Sequence, residues 1–274
     1  MTSILTNNGA MVALQTLQSI NNNLTETQNQ ISTGKEVANA KDNSAIWAIS
    51  KVMESDVSGF NAVSDSLSLG ESTVAVATAG AEQITDLLKE MKEKVVAATG
   101  ENVDHDKLNA DVQSLKDQIT SVIGASQFNG ANLLNTAGGD ITVLSSIDRD
   151  STGAVTSSNI TVSSVDFEAT LTLANVDVSS ATAAEGSISE IEQLIQVAVD
   201  GAAALGASAS RIEKQSEFVS KVTDAMKSGI GSLVDTNMEE ASARLKALQT
   251  QQQLGVQALT IANSAPSTLQ QLFR

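Results

Sequence analysis

Apolar and small residues recur near the start of the chain at alternating steps of three and four. Ala10, Ala13, Leu17, Ile20, Leu24, Thr27 and Ile31 fall on one stripe of a helix, the spacing of a coiled-coil seam. A second stripe takes Val63, Leu67, Gly70, Val74, Ala77, Ala81, Ile84, Leu88, Met91, Val95 and Ala98. Helical rise makes this run a rod of roughly 54 Å. The pattern breaks at Gly100. Asp104 is placed to cap a shorter helix carrying Leu108, Val112, Leu115, Ile119 and Val122, which Gly124 should end.

Residues 128–186 change period. DITVLSSI, NITVSSV and FEATLTLANV alternate in twos, are rich in β-branched residues and are separated by Gly, Ser, Asp and Asn, which predicts two to four short strands. Helical spacing returns behind Ser187, a candidate cap, with Ile188, Ile191, Ile195, Ala198, Ala202 and Leu205. From Val219 a last stripe runs through 222, 226, 230, 234, 238, 241, Leu245, Leu248, Gln252, Gly255, Leu259 and Ala262. Its run of four-residue steps crosses GIGSLVD, where an interruption is expected, and Pro266 should end it. The fold expected is mainly α: a long antiparallel coiled coil or helical bundle formed by the N- and C-terminal segments, with a small β-rich insertion in the middle.

Composition narrows the function. The chain of 274 residues has no Cys, no Tyr, one His, one Pro and one Trp. Thiolate chemistry, disulfides and cysteine metal sites are excluded, and His105 alone cannot form a two-histidine ligand set. No catalytic, cofactor or metal residue is assigned, and an enzyme is the weakest reading. A net charge of −16 repels a phosphate backbone and argues against a nucleic-acid partner. The start MTSILTNNGA lacks the features of a cleaved signal peptide, and no apolar run is long enough for membrane insertion.

The placement of charge says more than its total. Residues 1–34 hold one ionisable side chain, Glu26, and residues 247–273 hold none. Exposed helices usually carry charge, whereas these ends set Gln, Asn, Ser and Thr between their apolar positions. Disordered polar tails would share that composition; the seam spacing favours helices that pack against copies of themselves. In contrast, residues 136–187 hold seven acids against Arg149 alone, which suits a solvent-facing segment. Within it, DRDSTG spaces Asp148, Asp150 and Gly153 as a calcium loop would, but Asn159 stands where that loop needs Glu. A hairpin turn is the expectation.

Three stretches carry a resemblance to a known family. SILTNNGAMVALQTLQSINNNLTETQNQISTGKEVANAKDNSAIWAIS at 3–50, FNGANLL at 128–134 and LKALQTQQQLGVQALTIANSAPSTLQQLFR at 245–274 resemble the bacterial flagellins, and AKDNSAIWA resembles those of the alphaproteobacterial type. The resemblance implies a secreted structural subunit that self-assembles into the flagellar filament for motility. It implies an inner tube from residues 1–35 and 237–274, a helical middle layer from 36–128 and 187–236, and a small outer β-rich variable region at 129–186. The partners implied are further copies, sister flagellins, the flagellar export apparatus with an export chaperone, and hook-associated and cap proteins, with export needing no cleaved signal peptide.

The residues expected in the self-assembly seam are Ala13, Leu17, Ile20, Leu24, Ile31, Leu245, Leu248, Leu259, Leu269 and Leu272. Asp42, as a helix cap, and Trp47, as a packing anchor, are expected at the joint between tube and middle layer. His105, between two aspartates, is expected to be solvated. Some family members alert innate immunity through a middle-layer patch that corresponds to 88–100 with Arg211; here Glu90 replaces an arginine and Lys94 a leucine of that pattern, which argues against receptor recognition. A hook–filament junction protein and a secreted helical effector or translocator are the alternatives. The ANSAPSTLQQLFR ending favours flagellin over the first, and the lack of an apolar hairpin of membrane length disfavours the second.

Overall fold

The computed structural model describes residues 7–150 and 152–272, with side chains through residue 264. The elements run α1 (Asn8–Thr33), α2 (Ser44–Ala97), α3 (His105–Ala125), β1 (Ile141–Arg149), β2 (Val155–Val162), α4 (Phe167–Thr170), a 3-10 turn (Leu173–Asn175), α5 (Ala181–Val234) and α6 (Met238–Leu272). They form two compact units, Met1–Ser55 with Ala225–Arg274, and Asp56–Asp224. The mainly helical fold with a small β insertion is the one that the periodicity predicts.

The unit Asp56–Asp224 owns a closed aliphatic core. Every position of the predicted α2 stripe from Val63 to Ala98 is buried. Val112, Leu115 and Ile119 of α3, and Ile191, Ala198, Leu205 and Ile212 of α5, enter the same cluster. Asp104 caps α3, accepting from the Lys107 backbone amide. The helix ends one residue beyond Gly124, and Asn132 explains how. Its side-chain amide donates to the Ile123 carbonyl at 2.7 Å, and its Oδ1 accepts from Leu134 N–H at 2.8 Å. FNGANLL is therefore a fastener. Phe128 and Ala131 exchange backbone hydrogen bonds across a turn whose Asn129 and Gly130 both have positive φ, and Leu133 and Leu134 are then driven into the core.

Two strands form, β1 antiparallel to β2, with Ile141 opposite Val162 and Arg149 opposite Val155. An irregularity at Ser145 separates two registers. The extra residue turns its hydroxyl to the Ser158 carbonyl at 2.9 Å and its carbonyl to Gln215 on α5 at 2.8 Å. The turn reads as the sequence indicates. Asp150 Oδ1 accepts from the Thr152 amide, the Thr152 hydroxyl and the Ala154 amide, with Gly153 at φ 89°, so its carboxylate is committed to the turn. Arg149, the single cation of this segment, reaches Asp56 on α2, its Nη2 2.6 Å from Oδ1. The hydrogen bond from Arg149 to Asp56 raises the guanidinium pKa further above its ordinary value.

Four local expectations are corrected. FEATLTLANV is not a strand: Asp166 accepts from Ala169 N–H at 3.0 Å and starts the short α4. Its apolar residues Phe167, Leu171 and Val176, and Val178 just beyond it, are buried one by one along an irregular path. Ser187 does not cap α5. The helix starts seven residues earlier behind Ser180, which accepts from Ala183 N–H, while the buried Ser187 hydroxyl bridges the backbone of Asp177. His105 is half-buried, and its Nδ1 faces the Val178 carbonyl at 3.2 Å. Lys116 donates to the neighbouring Val176 carbonyl at 2.7 Å, and burial lowers its ammonium pKa. Pro266 does not end α6, which continues to Leu272. A proline removes one helical hydrogen bond and crowds one carbonyl, yet its own φ is helical. The interruption expected near GIGSLVD is found at 235–237, between α5 and α6.

Two substitutions test this packing. A side chain at Gly201 would start 2.5 Å from Val165 and 2.7 Å from the buried Phe167 ring. Gly201→Val should therefore cost about 1–3 kcal/mol through overpacking. Asn132→Ala leaves a buried amide and carbonyl without partners and should cost about 1–3 kcal/mol. Urea unfolding should show both as a lower midpoint at unchanged slope.

Candidate assembly surface

In the other unit, α1 and α6 lie antiparallel. Asn7 both caps α1, accepting from Ala10 N–H, and donates across to the Ala262 carbonyl at 2.7 Å. Further along, Gln252 donates to Asn21 Oδ1 at 2.7 Å. At the far end Glu36 N–H meets the Val234 carbonyl at 2.7 Å, and Thr236 N–H meets the Gly34 carbonyl at 3.0 Å. The long-range partners of Asn7 and Asn21 have no local sequence signal.

The residues of the expected seam are covered to different degrees. Ala13, Leu17, Ile20, Leu24 and Ile31 on α1, and Leu245 and Leu259 on α6, are half-buried, while Leu248 is buried. Thr27 occupies its seam position by returning its hydroxyl to the Asn23 carbonyl at 2.8 Å. A side chain at Gly255 would touch Leu17 at 3.1 Å, so a small residue sets the helix approach there. The side chains of Leu269 and Leu272 lie outside the described residues.

One stripe of each helix is thus covered, and the remaining faces are open. Met11, Val12 and Leu14 are more than half exposed, as are Leu254 and Ile261, the last to 70%. The seam pattern alone did not mark these residues. The signal that could have found them is the absence of charge around them: from Lys246 toward the end of α6, and along α1 apart from Glu26, every neighbour is neutral. Exposed apolar side chains set among uncharged polar ones are the chemistry of an interaction surface.

Between α1 and α2 the chain turns through 34–43. Asp42 does not cap α2; its Oδ2 accepts from the Ala38 and Asn39 amides at 3.0 Å each, closing the turn. Asn43 is the cap, accepting from Ile46 N–H at 3.2 Å. An aspartate whose carboxylate is already engaged upstream leaves that role to the next residue. Trp47, half-buried, sits in the first turn of α2. At the start of α2 Lys51 hydrogen-bonds Glu54 and Lys35 of the turn stands near it, holding the Glu54 carboxyl below its ordinary pKa. No group of carboxylates or histidines among the described residues is arranged to hold a metal, and no described helix is long and apolar enough to cross a membrane.

Comparison with known proteins fits this arrangement. Residues 4–138 match the family model of the bacterial flagellin N-terminal helical region, and residues 188–273 that of the C-terminal helical region. Flagellin FljM of Caulobacter vibrioides is 41% identical over 99% of this chain and 98% of its own. Flagellin C of Rhizobium meliloti is 39% identical over the full length of both. A solved flagellin structure from Bacillus cereus covers 55% of this chain and 86% of its own at 23% identity, with a TM-score of 0.48. Matched at both helical ends and along its whole length, the chain belongs to the bacterial flagellins, the structural subunits that self-assemble into the flagellar filament outside the cell.

Proposed function

We propose that the polymer contacts of this subunit are made by the open faces of the α1–α6 pair, so that residues 1–35 and 237–274 form the inner tube of the filament. In the same reading 36–128 and 187–236 form the middle layer, and 129–186 the outer region. The observation that carries it is the set of exposed apolar residues, Met11, Val12, Leu14, Leu254 and Ile261, on stretches of α1 and α6 whose neighbours are almost all neutral. A soluble monomer gains nothing from that surface. Ala13, Leu17, Ile20, Leu24, Ile31, Leu245, Leu248 and Leu259 then act twice: they join α1 to α6 and so present the open faces. Leu269 and Leu272 extend the same seam. Asp42 and Trp47 fix the joint between tube and middle layer, the first by closing the 38–42 turn and the second by packing.

Export precedes assembly in this reading. The chain passes unfolded through the flagellar export apparatus, guided by its uncleaved N-terminal segment and escorted by a chaperone. It is then incorporated under a cap protein beyond the hook-associated proteins. Neither membrane insertion nor nucleic-acid binding has a place in it. Nor does receptor recognition through 88–100: Glu90 and Arg211 are exposed, and Lys94 is paired with Asp111 at 3.2 Å.

A carboxylate placed in the seam tests the assignment. An unpaired charge there costs roughly 3–5 kcal/mol, or is protonated instead. Leu17→Glu and Leu248→Glu should each abolish filaments at neutral pH in electron micrographs of seeded protein, while far-UV circular dichroism keeps most of its helical signal. Filaments of normal length from either variant would overturn the assignment. The exposed turn at 150–154 is the control: a Gly/Ser replacement there should assemble as the unchanged chain does.

A further inference from the structure

Glu26 is the only ionisable side chain in residues 1–34. It is exposed on the side of α1 that also carries the exposed Gln15, Gln18, Asn22 and Asn29, and it has no hydrogen-bond or ion-pair partner among the described residues. Its neighbours are neutral amides, which can pair in many alignments because each both donates and accepts. Amides alone therefore specify poorly how far one copy is displaced along another. A carboxylate behaves differently. Covered by a neutral surface it would oppose assembly, and covered by a cation it favours one alignment over all others.

The cations that could meet it are few. α1 carries none, and on α6 they are Arg244 and Lys246, with none from 247 to 272. Arg244 is exposed, and it has no ion pair or hydrogen bond among the described residues, not even to Glu240 one turn earlier. Its planar guanidinium offers paired donors to a carboxylate and is less strongly hydrated than the ammonium of Lys246. Glu26 and Arg244 do not pair within one chain, although α1 and α6 pack together. We propose that Glu26 of one copy pairs with Arg244 of a neighbouring copy, and that this ion pair sets the alignment of the sparsely charged helices α1 and α6 in the polymer. The proposal rests on the assembly reading above and names the partner group.

Charge exchange between two chains tests it. Both side chains are exposed, so Glu26→Arg and Arg244→Glu should fold with unchanged circular dichroism. Each variant alone should raise the critical concentration for seeded polymerisation by roughly tenfold or more, since like charges then face each other at every contact. An equimolar mixture of the two should polymerise near the wild-type concentration and sediment both chains in equal amounts, because the arginine introduced at position 26 of one chain meets the glutamate introduced at position 244 of the other. A pair within one chain could not be repaired by mixing. The proposal is overturned if either variant alone assembles like wild type, if the mixture does no better than its components, or if Lys246→Glu rather than Arg244→Glu rescues Glu26→Arg. Failure of the wild-type chain to form filaments under the same conditions would instead overturn the assembly reading itself.

Discussion

Two helices packed against each other can each hide one stripe, and α1 and α6 have more apolar surface than one stripe holds. Their shared seam takes Leu17, Ile20, Leu24, Leu245 and Leu248, while Met11, Val12, Leu14, Leu254 and Ile261 remain in water. An isolated helix pair of this kind gains little beyond the entropy lost in ordering it. What its own chain leaves uncovered is open to other copies, and the scarcity of charge there means that covering it strips few strongly hydrated groups. On the surface proposed above, assembly begins as a local shortage of partners on α1 and α6.

The unit Asp56–Asp224 solves the opposite problem. Its core is closed by three helices, a hairpin and an irregular strap, and its charges point outward into pairs such as Lys92–Glu192 and Lys94–Asp111. Exposed pairs of this kind contribute little stability each, but they keep a surface wetted. Arg149 is a more specific case. Held on Asp56 and on the Gly153 carbonyl, it anchors the hairpin end to α2 within a segment of otherwise acidic residues. Charge is therefore segregated along the chain according to whether a face is meant to stay in water.

How much of this could be read beforehand depended on how local the cause was. The α2 stripe was legible position by position, because helical spacing and burial against a continuous core are the same fact seen twice. The α1 and α6 stripes told which residues face a partner helix, but they could not tell the partner or the use of the faces left over. Caps were less legible. Asp42 and Ser187 both have cap chemistry, yet Asp42 is engaged by Ala38 and Asn39, and Ser187 by Asp177, leaving the caps to Asn43 and Ser180. FEATLTLANV alternates like a strand, but strands need neighbours for their backbone. Phe167 N–H finds the Leu134 carbonyl instead, a contact that depends on the FNGANLL fastener and not on the alternation.

The same reasoning explains why the open faces set amides between their exposed apolar residues in place of more leucines. A helix pair apolar on all sides would bury itself indiscriminately and would not remain a monomer long enough to be placed. Amides keep the free chain hydrated. They lose little when buried against partners that return their hydrogen bonds, since one bond replaces another. Gln252 and Asn21 already make such an exchange inside the chain at 2.7 Å. On the assembly surface proposed above, each contact between copies would be weak and reversible, and a polymer would draw its stability from many of them at once. Weak, neutral and numerous contacts permit correction during growth; what they lack is alignment, and a single charge such as Glu26 on an uncharged helix can supply it.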